Sequence, residues 1–333
     1  MSRTSPLVPW PRRACLAALL AAGLAAALPA RAQAPWPSAG PIRFVVPFTA
    51  GSGTDVVART VAEKLGPLLG QQIIVENKPG AGGTLGAAQV AKAPADGYTL
   101  LVHSSGHVVN PALYPKLSYD TLKDFDGITP LASLPNVLVT SPASGFKDVA
   151  DLIAKVKANP DKHNYASAGN GSATHMNAEQ FRIAAGLKAL HVPFRGTPEA
   201  ITETIAGRTD WFFAPLVSAL PLIQDGKLVA LAVGTPNRSP ALPNVPSMAE
   251  VGLKDAAYTF WVGLFATAKT PKPIVERLHA ETLKVLALPE VRARMEKLGA
   301  TPMPMPQAAF EKFLDEETAA ASRLVRTASI RVE

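Results

Sequence analysis

Short apolar runs alternate with segments of helical spacing along most of this chain, a pattern that predicts an α/β protein with mostly parallel strands. Ile42–Phe48, Gln72–Val75 and Tyr98–Val102 read as strands. Between the first two, Asp55–Leu69 places Val57, Val61, Leu65 and Leu68/Leu69 on one helical face. Thr84–Lys92 predicts a second helix, stopped near Pro94. The spacing changes after Phe125-Asp126-Gly127, and Val137–Thr140 opens a second group of elements. That group holds a helix over Lys147–Ala158, a strand, Gly-rich turn and helix within YASAGNGSATH, and a strand over Leu190–Phe194. Thr197-Pro198 reads as N-cap plus first helical residue, opening a helix to Gly207. Asp210–Pro215 and Leu228–Val233 are predicted strands, and Thr259–Ala266 is one more. Helices over Pro273–Ala287, Pro289–Leu298 and Pro306–Ala328 follow with no strand expected between them, as a tail that packs back on the first lobe.

The N-terminus changes the picture of where this fold works. Arg3, Arg12 and Arg13 precede an apolar run from Ala14 to Leu28, and Ala30-Arg31-Ala32 supplies a small-x-small cleavage site. This predicts a signal peptide over 1–32, cleavage after Ala32 and export to the periplasm. An apolar run of about 15 residues is too short for a membrane span. The single cysteine, Cys15, lies in the signal, so the mature chain is expected to hold no disulfide and no Cys-based metal site. The signal also carries four arginines and no acid, and its removal lowers the formal charge from +7 to 29 − 26 = +3. With no Lys/Arg run, that balance excludes a nucleic-acid partner. The remaining chain is longer than one core usually supports, so two lobes are expected. They are placed at 33–130 and 131–250, with 251–333 returning to the first lobe.

Candidate chemistry gathers at the turns. Val45–Thr60, VVPFTAGSGTDVVART, is a β-branched run, a turn with two glycines and a helix start. Such a junction aims backbone N–H groups and the positive end of a helix at one spot, which suits an anion. It is not a Walker loop, because no Gly-Lys-Ser/Thr follows, and it lacks the third glycine of the dinucleotide fingerprint. Catalysis has little support. Ser52 and Ser172 lack the flanking glycines of a nucleophile elbow, and His103 and His107, spaced as a metal pair, have no evident third ligand. No cofactor and no metal are expected.

Ile42–Asp55, ENKPGAGGTLGAAQVAKAPADGYTLL, NPALY, YASAGNGSATH, HVPFRGTPEAITETIAGR, SALPLIQDGKLVALAV and RSPALPNVPSMAEVG together resemble the extracytoplasmic solute receptors of the tripartite tricarboxylate transporter group, the Bug receptors. The resemblance implies a two-lobed, type II-like periplasmic binding protein of the Venus flytrap kind. Its hinge would be two crossing strands, and it would close on a small carboxylate held largely by backbone amides and ordered water. It implies membrane transporter subunits as partners and a monomeric receptor. By position, Phe48, Thr49, Ala50, Gly51 and Ser52 resemble the first-lobe carboxylate loop, and Ser104 and Ser105 a second contact from that lobe. Ala168, Gly169, Ser172 and His175 match the loop of the other lobe, and Phe194, Arg195 and Gly196 a third element. Asn77–Gly83 is read as architectural.

Three positions depart from the family pattern: Ser52 for a second glycine, His103 for a small residue, and Ala214 for an aspartate. Loss of that aspartate argues against amino acids and amides as ligands. An imidazole at His103 facing the cleft would donate to a second carboxylate or a carbonyl, and affinity would then fall as pH rises through about 6.5; the alternative is a packed histidine. Two other functions remain open at this level: a periplasmic sensor with a membrane signalling partner, and a secreted α/β enzyme acting on a carboxylate.

Overall fold

The computed structural model describes residues 36–330, so the predicted signal and its cleavage point lie outside the described residues. Two sheets form the α/β frame, one from each lobe. The first begins with β1 (Ile42–Val46), α1 (Gly53–Leu69), β2 (Ile73–Asn77), α2 (Thr84–Ala91), β3 (Thr99–Ser104), α3 (Gly106–Leu113) and β4 (Phe125–Leu134). The chain then builds β5 (Asn136–Thr140), α4 (Val149–Ala158), β6 (Asn164–Ser167), α5 (Ala173–Ala184), β7 (Leu190–Pro193), α6 (Thr197–Ile205), β8 (Trp211–Pro215), α7 (Leu216–Gln224) and β9 (Val229–Val233). It returns through β10 (Phe260–Thr267), α8 (Lys272–Ala287), α9 (Pro289–Lys297), β11 (Thr301–Pro302) and α10 (Gln307–Thr327).

The sheet orders are β11-β4-β10-β3-β1-β2 and β7-β6-β8-β5-β9. β1 runs parallel to β2 and β3, and β6 parallel to β7 and β8. β10, β4, β11, β5 and β9 pair antiparallel, which corrects the expectation of mostly parallel strands to mixed sheets. The antiparallel members are the strands that carry the chain between sheets or close an edge, and the βα repeats alone are parallel. Several elements, α7 among them, were not anticipated. β4 is a ten-residue strand hidden by Gly127 and Pro130, and its pairing with β10 is interrupted by register shifts at Val262/Gly263 and Leu264/Phe265. β11 is a two-residue strand between the last helices.

Strand alternation divides each sheet between two cores. Phe44, Val46, Leu100 and Val102 pack toward α1 and α8, where Val57, Val61 and Leu278 meet them. Val45, Leu101, Trp261 and Phe265 point the other way, onto Phe310 and Leu314 of α10, so the helical tail covers the first sheet. In the second sheet Tyr165, Trp211 and Phe213 face Leu152 and Phe181, while Ala166, Phe212 and Ala214 face Ala200 and Leu220.

Only Pro135 separates β4 of the first sheet from β5 of the second. The return segment meets this crossing, where Gly234 N–H donates to the Asn136 carbonyl at 2.7 Å and Tyr258 N–H to the Gly234 carbonyl at 2.8 Å. The two crossings therefore touch, and they hold the strand-to-helix turns of the two lobes opposite one another.

Candidate functional site

The first-lobe turn is fixed by a buried carboxylate. Asp55, in the first turn of α1, accepts from Gly51 N–H at 2.9 Å, Asn77 Nδ2 at 2.8 Å and Arg59 Nε at 3.0 Å. Asn77 also donates to the Phe48 carbonyl at 3.0 Å and accepts from Arg59 at 3.0 Å, tying β2 to both ends of the turn. A negative side chain at this helix start is favoured by the macrodipole. It also consumes the Gly51 amide, so Gly51 offers no donor to a ligand and instead accepts from Ser218 Oγ at 3.0 Å through its carbonyl. Ser52 is the N-cap residue of α1 but caps no amide with its side chain. Ser52 Oγ and Thr49 Oγ1 are buried and have no hydrogen-bond partner among the described residues. The first-turn amides of a helix have no intrahelical acceptor, so Gly53 and Thr54 add donors beside these hydroxyls. Ala50 stands exposed at the tip of the turn.

Ser104 ends β3, and its Oγ accepts from Gly106 N–H at 3.3 Å. Ser105 is committed elsewhere, because its Oγ shares a 3.1 Å hydrogen bond with Tyr258 Oη in the return segment.

The second-lobe loop is satisfied from within. Ser172 caps α5 by accepting from His175 N–H at 3.3 Å. Ala168 N–H donates to Thr174 Oγ1 at 2.9 Å, Gly169 N–H to Ser167 Oγ at 3.1 Å, and Gly171 N–H to His175 Nδ1 at 3.0 Å. Burial pushes the His175 pKa down to about 3, so the ring is neutral and able to accept at Nδ1. In the third element Gly196, not Thr197, is the N-cap residue of α6; Thr197 already has helical backbone and Pro198 follows it in the first turn. Arg195 N–H donates to Glu199 Oε2 at 2.9 Å.

These elements meet along one seam. Ser52, Thr54 and Ser104 on one side face Ser172, Thr174 and Thr197 on the other across an inner slot of about 10 Å³. The N-termini of α1, α5 and α6 thus open on the same slot, with Phe48 and Ala168 in its wall. An outer cavity of about 480 Å³, which shares the walls of Phe48 and Ala168 with the slot, is bounded by Gly80–Gly83, Tyr114, Gly169, Asn170, Phe194 and Arg195. The approach is close: a Cβ on Gly196 would lie 1.8 Å from Thr49 Oγ1, and one on Gly82 would lie 1.9 Å from the Asn170 carbonyl oxygen. Glycine is required at both places. Tyr114 Oη donates to that same carbonyl at 3.0 Å, spanning the lobes. Tyr114, Asn170, Glu199 and Ser218 were missed as site residues; Tyr114 and Ser218 lie in NPALY and SALPLIQ, blocks that gave a signal without a role.

Two expectations are corrected. His103 does not face the cleft: it is fully buried, 5.5 Å from the Phe48 ring and 5.0 Å from the His107 ring, with Nδ1 3.1 Å from the Ser104 carbonyl. Burial pushes its pKa down to about 4, so it supplies no cationic contact at neutral pH. Its Nε2 lies beneath Gly83, where a Cβ would come within 2.5 Å of it. Ala214 is also fully buried, paired with Val137 in the sheet and packed in the core under α6 and α7, so it forms no wall of either cavity.

Known proteins resemble this chain over most of its length. Residues 57–330 match the model of the tripartite tricarboxylate transporter family receptor. A Pseudomonas sp. relative, described as the UPF0065 protein in the tcbD-tcbE intergenic region, is 39% identical over 260 residues, covering 78% of this chain and 77% of the relative. MatC from Rhodopseudomonas palustris, with bound malate, superposes with a TM-score of 0.82 at 34% identity, over 86% of this chain and 99% of MatC. A second R. palustris protein, with adipate, gives 0.86 at 30% identity, over 89% of this chain and 99% of that one.

Proposed function

This chain belongs to the tripartite tricarboxylate transporter family of receptors, and on that premise we propose that it captures a small organic carboxylate between its two lobes, in the periplasm, and delivers it to membrane subunits of a tripartite transporter. The observation that carries this reading is the convergence of three helix N-termini on one slot beside the orphaned hydroxyls of Ser52 and Thr49. Backbone amides and hydroxyls at a positive helix end bind a carboxylate by charge-assisted hydrogen bonds without a buried arginine. Thr49, Ser52 and Ser104 are the contacts assigned to the first lobe, with Phe48 and Ala168 closing the walls. Arg195, Phe194 and Gly169 surround the outer end of the ligand. The malate and adipate carried by the two R. palustris relatives fit the same chemistry.

The family is one of receptors, and this chain is expected to bind without turnover, as a monomer. Purified mature protein should be stabilised thermally by at least one of malate, adipate or an aromatic carboxylate, with the carboxylate recovered unchanged after prolonged incubation. Conversion to a product would place the protein among enzymes. No stabilisation by any carboxylate would remove the reading.

A further inference from the structure

We propose that His175 and His191 are positioning residues: a stacked imidazole pair that holds the Gly169 and Gly171 amides, and through them presents the Asn170 carbonyl to the first lobe. The two rings lie 3.9 Å apart at an interplanar angle of 7°. Each ring reaches one glycine of the loop. His175 Nδ1 accepts from Gly171 N–H at 3.0 Å. His191 Nε2 lies 2.6 Å from Ser167 Oγ, and that hydroxyl accepts from Gly169 N–H at 3.1 Å. Gly169 and Gly171 have φ of +115° and +76°, a backbone path that few side-chain-bearing residues adopt. Between them, the Asn170 carbonyl takes the hydrogen bond from Tyr114 and sits against Gly82. The pair therefore stands directly behind the place where the lobes meet.

The stack continues into the second-lobe core. Tyr165 lies 5.0 Å from His191 at 19°, and Trp211 lies 5.7 Å from Tyr165 at 17°. The charged groups facing the rings are paired with each other: Arg182 grips Glu179 at 2.7 and 2.8 Å, and the Tyr165 hydroxyl donates to Glu179. An imidazole can accept from Gly171 only while Nδ1 is unprotonated. Burial favours that neutral form in both rings. The role assigned to His175 by resemblance, ligand contact, becomes one of shaping the loop.

The inference rests on the receptor reading only for what the loop serves, so its test uses no ligand. Amide hydrogen exchange of Gly169 and Gly171 is measured in the mature protein and in four variants. His175→Asn places an amide oxygen where Nδ1 stood, and His191→Gln places an amide where Nε2 stood; both should keep the protection of the parent protein. His175→Leu and His191→Leu fill similar space without the polar atom, and should speed exchange of Gly171 and Gly169 respectively at least tenfold. Leucine variants that retain protection while the amide variants lose it would show that the rings act by packing alone and would overturn the proposal. Nitrogen-15 shifts of the unsubstituted protein give an arm that needs no variant. His175 should be the neutral tautomer protonated at Nε2 throughout pH 5–8, and a titration of that ring with a midpoint near 6.5 would equally overturn it.

Discussion

The turn after β1 and the loop after β6 do the same topological work, yet they meet their hydrogen-bonding needs in opposite ways. In the first lobe a charge, Asp55, takes up one amide and two side-chain donors, while the hydroxyls of Ser52 and Thr49 are left unpaired. In the second lobe neutral groups take up the amides of Ala168, Gly169 and Gly171, and the Ser172 hydroxyl is spent on its own helix. Each lobe also keeps two histidines behind its loop. Those of the second lobe bond to the loop, whereas neither nitrogen of His107 in the first lobe has a partner among the described residues. The difference teaches that unpaired hydroxyls gather on the first-lobe turn, while the second-lobe loop spends its groups on itself. The second-lobe loop is held by its own hydrogen bonds.

The largest effect is expected where the two regions touch. Gly82→Ala sets a methyl against the Asn170 carbonyl and should hold the lobes apart, lowering carboxylate affinity by about 100-fold, because only the closed fraction binds with both lobes. Calorimetric titration with a carboxylate that stabilises the unsubstituted protein checks this, and normal affinity would show that the seam tolerates opening. Asp55→Ala should come next. It strands the donors of Gly51, Asn77 and Arg59 and should cost about 3 kcal/mol of stability, read by denaturant unfolding, together with most of the affinity.

A paired substitution tests the asymmetry itself. Ser52→Ala should weaken binding about tenfold or more with little change in stability, since its hydroxyl is free for a charged acceptor. Ser172→Ala should do the reverse, costing about 1 kcal/mol of stability as a lost cap with a smaller change in affinity. Equal effects of the two on affinity would break the comparison. The smallest effect concerns pH. With the folded pKa of His103 near 4 and those of His175 and His191 near 3, affinity should be flat from pH 6 to 8. These groups are neutral when folded and charge more readily when unfolded. Their contribution to stability is therefore complete above about 6.5 and is lost as pH falls toward 4 and below. Thermal midpoints should fall on acidification over that range, and a binding curve with a midpoint near 6.5 would return an ionising histidine to the cleft.

Sequence pattern revealed the strand-to-helix turns because each carries three signals at once: a β-branched run, glycines, and a hydroxyl residue before a helical spacing. Asp55 was visible as a helix start and Asn77 as architecture, and the structure joins them. The orientation of His103 was not legible. All six residues of β3 are buried, so alternation along the strand carries no distinction between a cleft side and a core side. Ala214 was obscured for the same reason, in a strand buried throughout. β4 was lost to its own breakers, since Gly127 lies under Phe310 and Pro130 sits at an irregular stretch of the ladder, where a proline can be accommodated. The stacked imidazoles join residues on a helix and an edge strand that no local spacing relates.

The pairing of β10 with β3 and β4 also sets the order in which this molecule can assemble. Strands β5 to β9 form a sheet from one continuous stretch of chain, which can complete as soon as that stretch is available. The other sheet cannot. β3 and β4 are neighbours only through β10, whose residues follow the whole second sheet in sequence, and the aromatic side chains of α10 that cover Trp261 and Phe265 come later still. Until then β3 presents an open hydrogen-bonding edge beside bare apolar surface, the arrangement that recruits a foreign strand. Slow closure of a long-range pairing is the natural bottleneck of such a topology. A chain shortened before Phe260 should therefore keep a folded half and a sticky one, so that aggregation, rather than simple loss of binding, is the first consequence of truncation.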